Sequence, residues 1–422
     1  MYEATFELET ITPLFMRGAD QRKAEFRSAS IKGVMRWWFR ALAGSYFGNN
    51  IAKLREAECR VFGCAGGGGT RRSAVIVEVE PVESNGEYSP KNEYESYFWF
   101  SQTGRNSRGA VLPGLTLTIT LEGRDEDSLK LAVLSLWTAL HLGGFGSRSR
   151  KFGGSLFPKK EPGGDVNLDI SFVPGQDVEE FYKGVFEGER NITSEFSKIL
   201  RDMGFKPGPR YGRLPEYPVL NREHSLIVVG DPKGDVSEAI KDVGEWYLGT
   251  VGKGGKFEGG FRFKYANRRI PHKIHEKYQQ GEERIGSIDV APERRPFLGL
   301  PIPFYKSFGT ESVKFTVDHW NADRRASCLL FTVNAVKSQN ATEYYPVITL
   351  FRYKFLPGYE GPVRYRGGVY KGREKVANAA GALFIIERGQ DGEVEYLKYL
   401  RELSLSLSTK FTPVYGSEEV FQ

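Results

Sequence analysis

Cysteine is scarce in this chain: 422 residues carry only Cys59, Cys64 and Cys328. An odd, sparse set argues against a secreted disulfide framework and for a reducing compartment. Long apolar runs are missing too. No stretch approaches the roughly 20 apolar residues that a membrane span needs, and the start, MYEATFELET, is neither apolar nor basic enough for a signal peptide. A large excess of one charge is also absent. Lys and Arg number 59 against 53 Asp and Glu, so the position of the cations matters more than their sum. These absences together predict a soluble cytoplasmic protein with no membrane partner. Histidine is nearly as rare as cysteine, with five residues and none before His141. Metal-free RNA cleavage needs a general acid and base, most often histidine, so the first third of the chain is poor ground for that chemistry.

Metal chemistry has little support. Cys59 and Cys64 have no second ligand pair at a usual spacing, and His272 and His275 stand alone in RRIPHKIHEK. No metal or cofactor is expected. Carboxylate pairs such as Glu56/Glu58 and Asp125/Asp127 lie in charged contexts and read as solvated surface. No serine nucleophile elbow or Cys/His arrangement stands out.

What the chain has is aromatic and glycine residues. Its 29 Phe and 21 Tyr, with 40% hydrophobic residues overall, exclude a disordered chain. The 49 glycines follow no period, which excludes collagen and solenoid repeats. They bunch at 63–69, 143–154, 249–260 and 358–372, each bunch with Arg or Lys in or beside it.

The periodicities predict an α+β fold. YEATFELET alternates as a half-buried strand, and IKGVMRWWFRALAGSYF keeps helical spacing, with Ser28 or Ser30 available as its cap. SAVIVEVEP and LTLTITLEG read as strands, Asp125 to His141 as a helix, and VNLDISFVP as a closing strand. Strand, helix, strand, strand, helix, strand is the split βαβ, or ferredoxin-like (RRM-like, βαββαβ), order. A boundary after Val173 gives two expected domains, 1–175 and 176–422. The second half holds a helical patch near Asn191–Met203, strands at SLIVVG, SVKFTVDHW, ASCLLFTVNAV and PVITLFRYKFL, and a helix around Val394–Leu407. A helix running into a basic glycine loop recurs, in WTALHLGGFGSRSRKFGG and GEWYLGTVGKGGKFEGG, which suggests that the second half is a decorated copy of the first.

The loop GGFGSRSRKFGGS concentrates Gly143, Gly144, Gly146, Gly153 and Gly154 with Arg148, Arg150 and Lys151. Glycine lets a backbone approach a partner closely, and the cations point to an anionic one. A Rossmann fingerprint is excluded, because GFGSRS ends in Ser149 and follows a helix rather than a strand. A P-loop is excluded in the later loop by Thr250, which stands six residues before Lys256 where glycine is required. A run of phosphates fits better than one small ligand; the plain alternative is a solvated connector. Lys32, Arg36 and Arg40, four apart, form a stripe on the first helix. In a split βαβ unit both helices pack on one face of the sheet, so this stripe and the glycine loop could share a groove wall, with Trp37 exposed for stacking on a base. In the second half, Arg294/Arg295 and Arg324/Arg325 precede buried strands, where loops would present them to a second phosphate surface.

ITPLFMRGAD leading to SIKGVMRWWFRALAG resembles the N-terminal signature of the RAMP-superfamily first subunit of the type III-B CRISPR effector, the Cmr complex. GGFGSRSRKFGGSLF is similar to the glycine-rich RAMP loop, and LGLPIPF with DRRASCLLF resembles that family's C-terminal pattern, departing from it where Cys328 replaces a usual proline. The N-terminal likeness covers about residues 10–47 and 141–157. It implies two ferredoxin-like domains and a non-catalytic subunit that holds the 3′ part of the guide RNA, helps capture single-stranded target RNA in antiviral defence, and docks with other Cmr subunits. The RNA contacts it implies are Lys32, Arg36, Arg40 and the loop from Gly143 to Gly154, then Arg17, Arg324 and Arg325. The competing expectation is a metal-independent endoribonuclease that processes CRISPR RNA, with His141 as its only histidine beside the loop.

Overall fold

A computed structural model describes the chain except for residues 67–69, 83–85, 105–106, 189–190, 212–213, 253–254, 265–268, 287, 289–294, 301, 323–324, 339–340, 357–360, 387–391 and 417–422. In chain order the N-terminal elements are β1 (Tyr2–Thr10), α1 (Ser28–Phe47), α2 (Ile51–Phe62), β2 (Val75–Val79), β3 (Gly86–Glu87), α3 (Glu93–Phe98), β4 (Gly109–Ala110), β5 (Thr116–Gly123), α4 (Glu126–Leu142), β6 (Leu156–Pro158) and β7 (Gly163–Gly164). Next come α5 (Val178–Glu187), α6 (Ile192–Asp202), β8 (Ser225–Val229), α7 (Val236–Leu248), β9 (Gly249–Val251), β10 (Phe257–Gly259), α8 (Phe261–Lys264), α9 (Arg269–Gln279) and β11 (Arg284–Ile285). The chain ends with β12 (Ile302–Phe308), β13 (Glu311–His319), β14 (Leu329–Lys337), β15 (Thr342–Phe351), β16 (Gly361–Lys371), β17 (Glu374–Ile386), α10 (Gly392–Lys410) and β18 (Thr412–Tyr415).

The first sheet has the order β2-β5-β1-β6, all antiparallel. Numbered by their place in the βαββαβ unit, these strands run 2-3-1-4, the ferredoxin-like order. Ala4, Phe6 and Leu8 of β1 and Leu117, Ile119 and Leu121 of β5 face the core, as strict alternation requires. α1 buries Ile31, Met35, Trp38, Phe39 and Leu42 along one side, each worth about 1.5–3 kcal/mol when removed from water. α4 is buried on every side from Leu131 to Leu142, because it packs against α1, α2, α6 and β14 as well as its own sheet.

The second sheet repeats the order. β14-β15-β8-β18 is antiparallel throughout, and β8, α7, β14, β15, α10 and β18 succeed one another as βαββαβ. The mixed α+β architecture is thus consistent with ferredoxin-like repeats. The chain from β9 to β12–β13 interrupts the second repeat after α7, and β16–β17 interrupt it after β15. Packing divides the chain into one compact unit of 1–244, 329–353 and 404–422 and another of 245–328 and 354–403. These limits divide the chain differently from the expected domains 1–175 and 176–422, since three chain segments make up the first unit. The second unit carries its own sheet, ordered β11-β17-β16-β13-β12.

Two local expectations are corrected. VNLDISFVP forms no strand; β6 and β7 pair with β1 instead. Ile170 and Phe172 are still buried, with Phe172 5.3 Å from Phe6. The Glu161 carboxylate takes up the Phe172 and Val173 amides, at 2.9 and 3.0 Å, which a ladder would otherwise pair. The cap of α1 is Arg27, with no side-chain cap bond, and Ser28 and Ser30 lie inside the helix. Cys59, in the last turn of α2, is joined to Cys64 by a disulfide. Cys328 is buried and unlinked. No helix among the described residues is long and apolar enough to cross a membrane.

Candidate nucleic-acid interface

The glycine loop is a folded object. After α4 ends at Leu142, residues 143–155 turn back on themselves and lie along β14. Phe152 N donates to Phe331 O at 3.0 Å, Phe331 N donates to Arg150 O at 3.2 Å, and Ser155 Oγ meets Thr332 Oγ1 at 3.0 Å. The opposite side of the loop is stitched to the segment after β1, with Ser147 N donating to Phe15 O and Gly154 N to Pro13 O. The glycines permit these close approaches. A Cβ on Gly144 would lie 2.5 Å from Gly153 O, and one on Gly154, at φ +66°, 2.1 Å from Phe145 O. On Gly153 it would lie 2.6 Å from Ser147 O, and on Gly143 2.8 Å from Trp38 Nε1. Gly146, at φ +76°, sits 2.7 Å from Phe15 O by the same measure. Arg148 itself adopts φ +63°, an unfavourable conformation that a non-glycine residue holds only where its surroundings impose it.

This scaffold sets each cation against an aromatic ring. Arg148 donates through Nε and Nη2 to Ser101 Oγ at 3.0 and 2.8 Å and lies 4.6 Å from the ring of Phe100, which is 64% exposed. Arg150 lies 4.9 Å from the Trp37 ring. Lys151 Nζ sits 3.8 Å from the Phe331 ring, and Trp99 Nε1 holds the Lys151 carbonyl at 2.9 Å. Arg17 comes to the same place: its Nη1 donates to Gln102 Oε1 at 2.8 Å, beside the Ser101 that receives Arg148. Arg17 Nε and Nη2 find no acceptor among the described residues. Burial pushes the Arg17 pKa down, and the charge of exposed Arg108 pushes the same way. Positive charge therefore crowds around Gln102, where an anion would relieve it.

The stripe on α1 is placed otherwise. Arg36 Nε and Arg40 Nη1 both donate to Glu58 Oε1 of α2, at 2.7 and 2.9 Å, while Glu58 is only 6% exposed. Arg36 Nη1 also reaches Gly63 O at 3.1 Å. Lys32 Nζ donates to Ser73 Oγ at 2.8 Å; burial lowers its pKa, with Arg36 adding to the effect. The stripe thus holds α2 and the start of β2 against α1, and Glu58, read from sequence as solvated, is a buried counter-ion. Trp37, expected to be exposed, is half-buried edge-on against Trp38 and Phe351.

Arg325 is not presented by a loop. It is 6% exposed and donates from Nη1 to Phe297 O and from Nη2 to Tyr396 OH, both at 2.7 Å, with Nε on Phe355 O. Arg295 lies 4.3 Å from the Phe304 ring. Arg294 and Arg324 fall outside the described residues. His141 has no solvent exposure, packs 4.4 Å from the Trp137 ring, and is pushed by burial to a pKa of about 3. Among the described residues no group of three or more His, Cys, Asp or Glu is placed to hold a metal ion. The residues that sequence reasoning missed are Phe100, Ser101, Gln102 and Arg108. WFSQTGRNSRG carries the same mixture of aromatic, glycine, serine and arginine as the glycine loop, and that likeness was the available signal.

Residues 7–156 match the RAMP superfamily. Two proteins of Pyrococcus furiosus, the CRISPR system Cmr subunits Cmr1-2 and Cmr1-1, are similar in sequence. Cmr1-2 is 46% identical over 181 residues, covering 37% of this chain and 95% of that protein. Cmr1-1 is 36% identical over 227 residues, covering 51% of this chain and 64% of that one. The crystal structure of apo Cmr1 from the same organism matches at a TM-score of 0.54 and 24% identity over 99% of both chains, a likeness of fold. The chain belongs to the RAMP superfamily, among the Cmr1-like CRISPR subunits of the type III-B (Cmr) effector.

Proposed function

We propose that this chain is a non-catalytic, cytoplasmic RNA-binding subunit built on two ferredoxin-like domains, which holds the 3′ part of the guide RNA, helps capture single-stranded target RNA, and docks with the other Cmr subunits. The observation that carries the RNA-binding reading is the convergence of Arg17, Arg108 and Arg148 around Gln102, beside exposed Phe100, with two Arg17 nitrogens lacking an acceptor among the described residues. Phosphate oxygens match such guanidinium donors, and an exposed aromatic offers a surface for a base. The alternative of metal-independent RNA cleavage draws no support from His141, which is buried and neutral.

The test is binding of end-labelled single-stranded RNA to the full chain, with the same RNA run on a denaturing gel. Arg17→Glu with Arg148→Glu is expected to weaken binding at least tenfold, with the RNA intact. Unchanged affinity would overturn the assignment of this surface. Cleavage products that persist through purification and vanish in a site variant would establish the nuclease instead.

A further inference from the structure

The sheet of the second packing unit has two unlike faces. Val313, Phe315, Val317, Val363, Tyr365, Val369, Ala377 and Ala379 form its buried side. Cross-strand register identifies what lies opposite. One row joins Tyr305, Lys314, Gly368 and Asn378, with Arg284 at the far edge; the next joins Pro303, Thr316, Arg366 and Ala380; a third joins Asp318, Arg364 and Ala382. Tyr370 and Lys375 form a fourth row with Ser312. Asn378, Ala380 and Ala382 are exposed, so this face is open.

Its composition is unusual for a merely solvated face. Tyr305 is 67% and Trp320 55% exposed, among the most exposed large apolar side chains described. Each aromatic has a cation beside it. Lys314 Nζ is 5.7 Å from the Tyr305 ring and 4.9 Å from Tyr370, and the Arg364 guanidinium is 5.6 Å from Trp320. These rows carry five cations, Arg284, Lys314, Arg364, Arg366 and Lys375, and one carboxylate, Asp318. Asp318 is 7% exposed and acts as a clamp: Oδ1 takes Arg364 Nε at 3.3 Å and Oδ2 takes Arg366 Nε at 2.9 Å. The Arg366 side chain remains 57% exposed. Thr316, Asp318, Trp320, Arg364 and Arg366 line a cleft with a volume of about 630 Å³, within the range of small-ligand pockets.

We infer that this open face of β12, β13, β16 and β17 is a second site for single-stranded RNA, with bases stacked on Tyr305, Tyr370 and Trp320 and phosphates held by Lys314 and Arg366. Exposed aromatics interleaved with cations are what sequence-tolerant single-strand binding requires: the rings accept any base, and the charges follow the backbone. The choice of RNA rests on the proposed function; the placement of the site rests on charge complementarity and register alone. The described part of the Gly/Arg segment, β16, is thereby assigned through Arg364, Arg366 and Tyr370 to this face, while residues 358–360 fall outside the described residues.

The experiment uses the full chain and a fluorescein-labelled uridine 20-mer, read by anisotropy at low and moderate salt. Tyr305→Ala with Trp320→Ala is expected to weaken binding about tenfold or more with little change in salt slope, since stacking carries no counterion release. Lys314→Glu with Arg366→Glu is expected to weaken binding and flatten the slope. Photo-crosslinking of wild-type protein to 4-thiouridine RNA, which needs no variant to fold, is expected to mark β12 or the β13–Trp320 segment. If both double variants bind as wild type does and no crosslink maps to this sheet, the inference is overturned and the face belongs to a protein partner. If Arg17→Glu with Arg148→Glu is also without effect although wild type binds, the first surface is overturned as well. Tighter binding of the matching DNA would overturn RNA as the occupant.

Discussion

At the scale of single residues, burial decides what each charged group can do. His141 looked like a possible acid or base beside the glycine loop, but it lies inside α4's packing with its pKa pushed down to about 3. His224 is lowered to about 4, again chiefly by burial. A histidine whose folded pKa lies below its unfolded value contributes stability that is present above the unfolded value, about 6.5, and is lost as pH falls toward the folded one. Thermal unfolding between pH 7 and pH 4 should therefore show a falling midpoint, and His141→Leu should reduce that slope; an unchanged slope would refute the assignment. Glu58 is the second case. Its carboxylate lies between Arg36 and Arg40. Glu58→Ala should cost about 1–2 kcal/mol in chemical denaturation, a modest figure because both arginines keep access to water. The pairing is invisible in sequence, because four-residue spacing places cations on one flank without saying what faces them.

At the scale of elements, glycine had two meanings that sequence could not separate. In the loop after α4 it permits backbone-to-backbone approach within the protein. Gly154→Ala, with φ +66° and a carbonyl 2.1 Å from the new Cβ, should destabilise by about 2 kcal/mol or more. In the middle of α1, Gly33 has nothing within 4 Å of an added Cβ. Gly33→Ala should stabilise by about 0.5–1 kcal/mol through helix propensity. Equilibrium denaturation of the two variants distinguishes these opposite signs. Periodicity served well where one face of an element meets the core, as in β1, β5 and α1. It misled at VNLDISFVP, where burial alternates but Glu161, rather than a neighbouring strand, satisfies the backbone.

At the scale of the whole molecule, the net charge of +6 predicts little by itself; its clustering predicts salt dependence. With four or five phosphates neutralised, single-strand affinity should fall on the order of fifty-fold between about 50 and 200 mM salt. Titrations at several salt concentrations give the slope directly, and a flat slope would remove the phosphate-binding reading. The decorated second copy suspected from the recurring helix and glycine loop corresponds to β8, α7, β14, β15, α10 and β18, whose strand order repeats that of the first sheet. The decoration carries a sheet of its own, which no local pattern distinguished from the strands of the repeat.

The sequence by itself determined the α+β class, the elements β1, α1, β2, β5 and α4 of the first repeat, the RAMP-like signatures and the basic glycine loop, because each depends on neighbours along the chain. Only tertiary structure decided the fate of each cation. Arg36 and Arg40 turn to Glu58, Arg325 is buried among carbonyls and Tyr396, and Arg17 and Arg148 meet around residues 101–102. The reason is electrostatic: a guanidinium is read by the acceptors around it in space, and those come from segments 18 to 85 residues away.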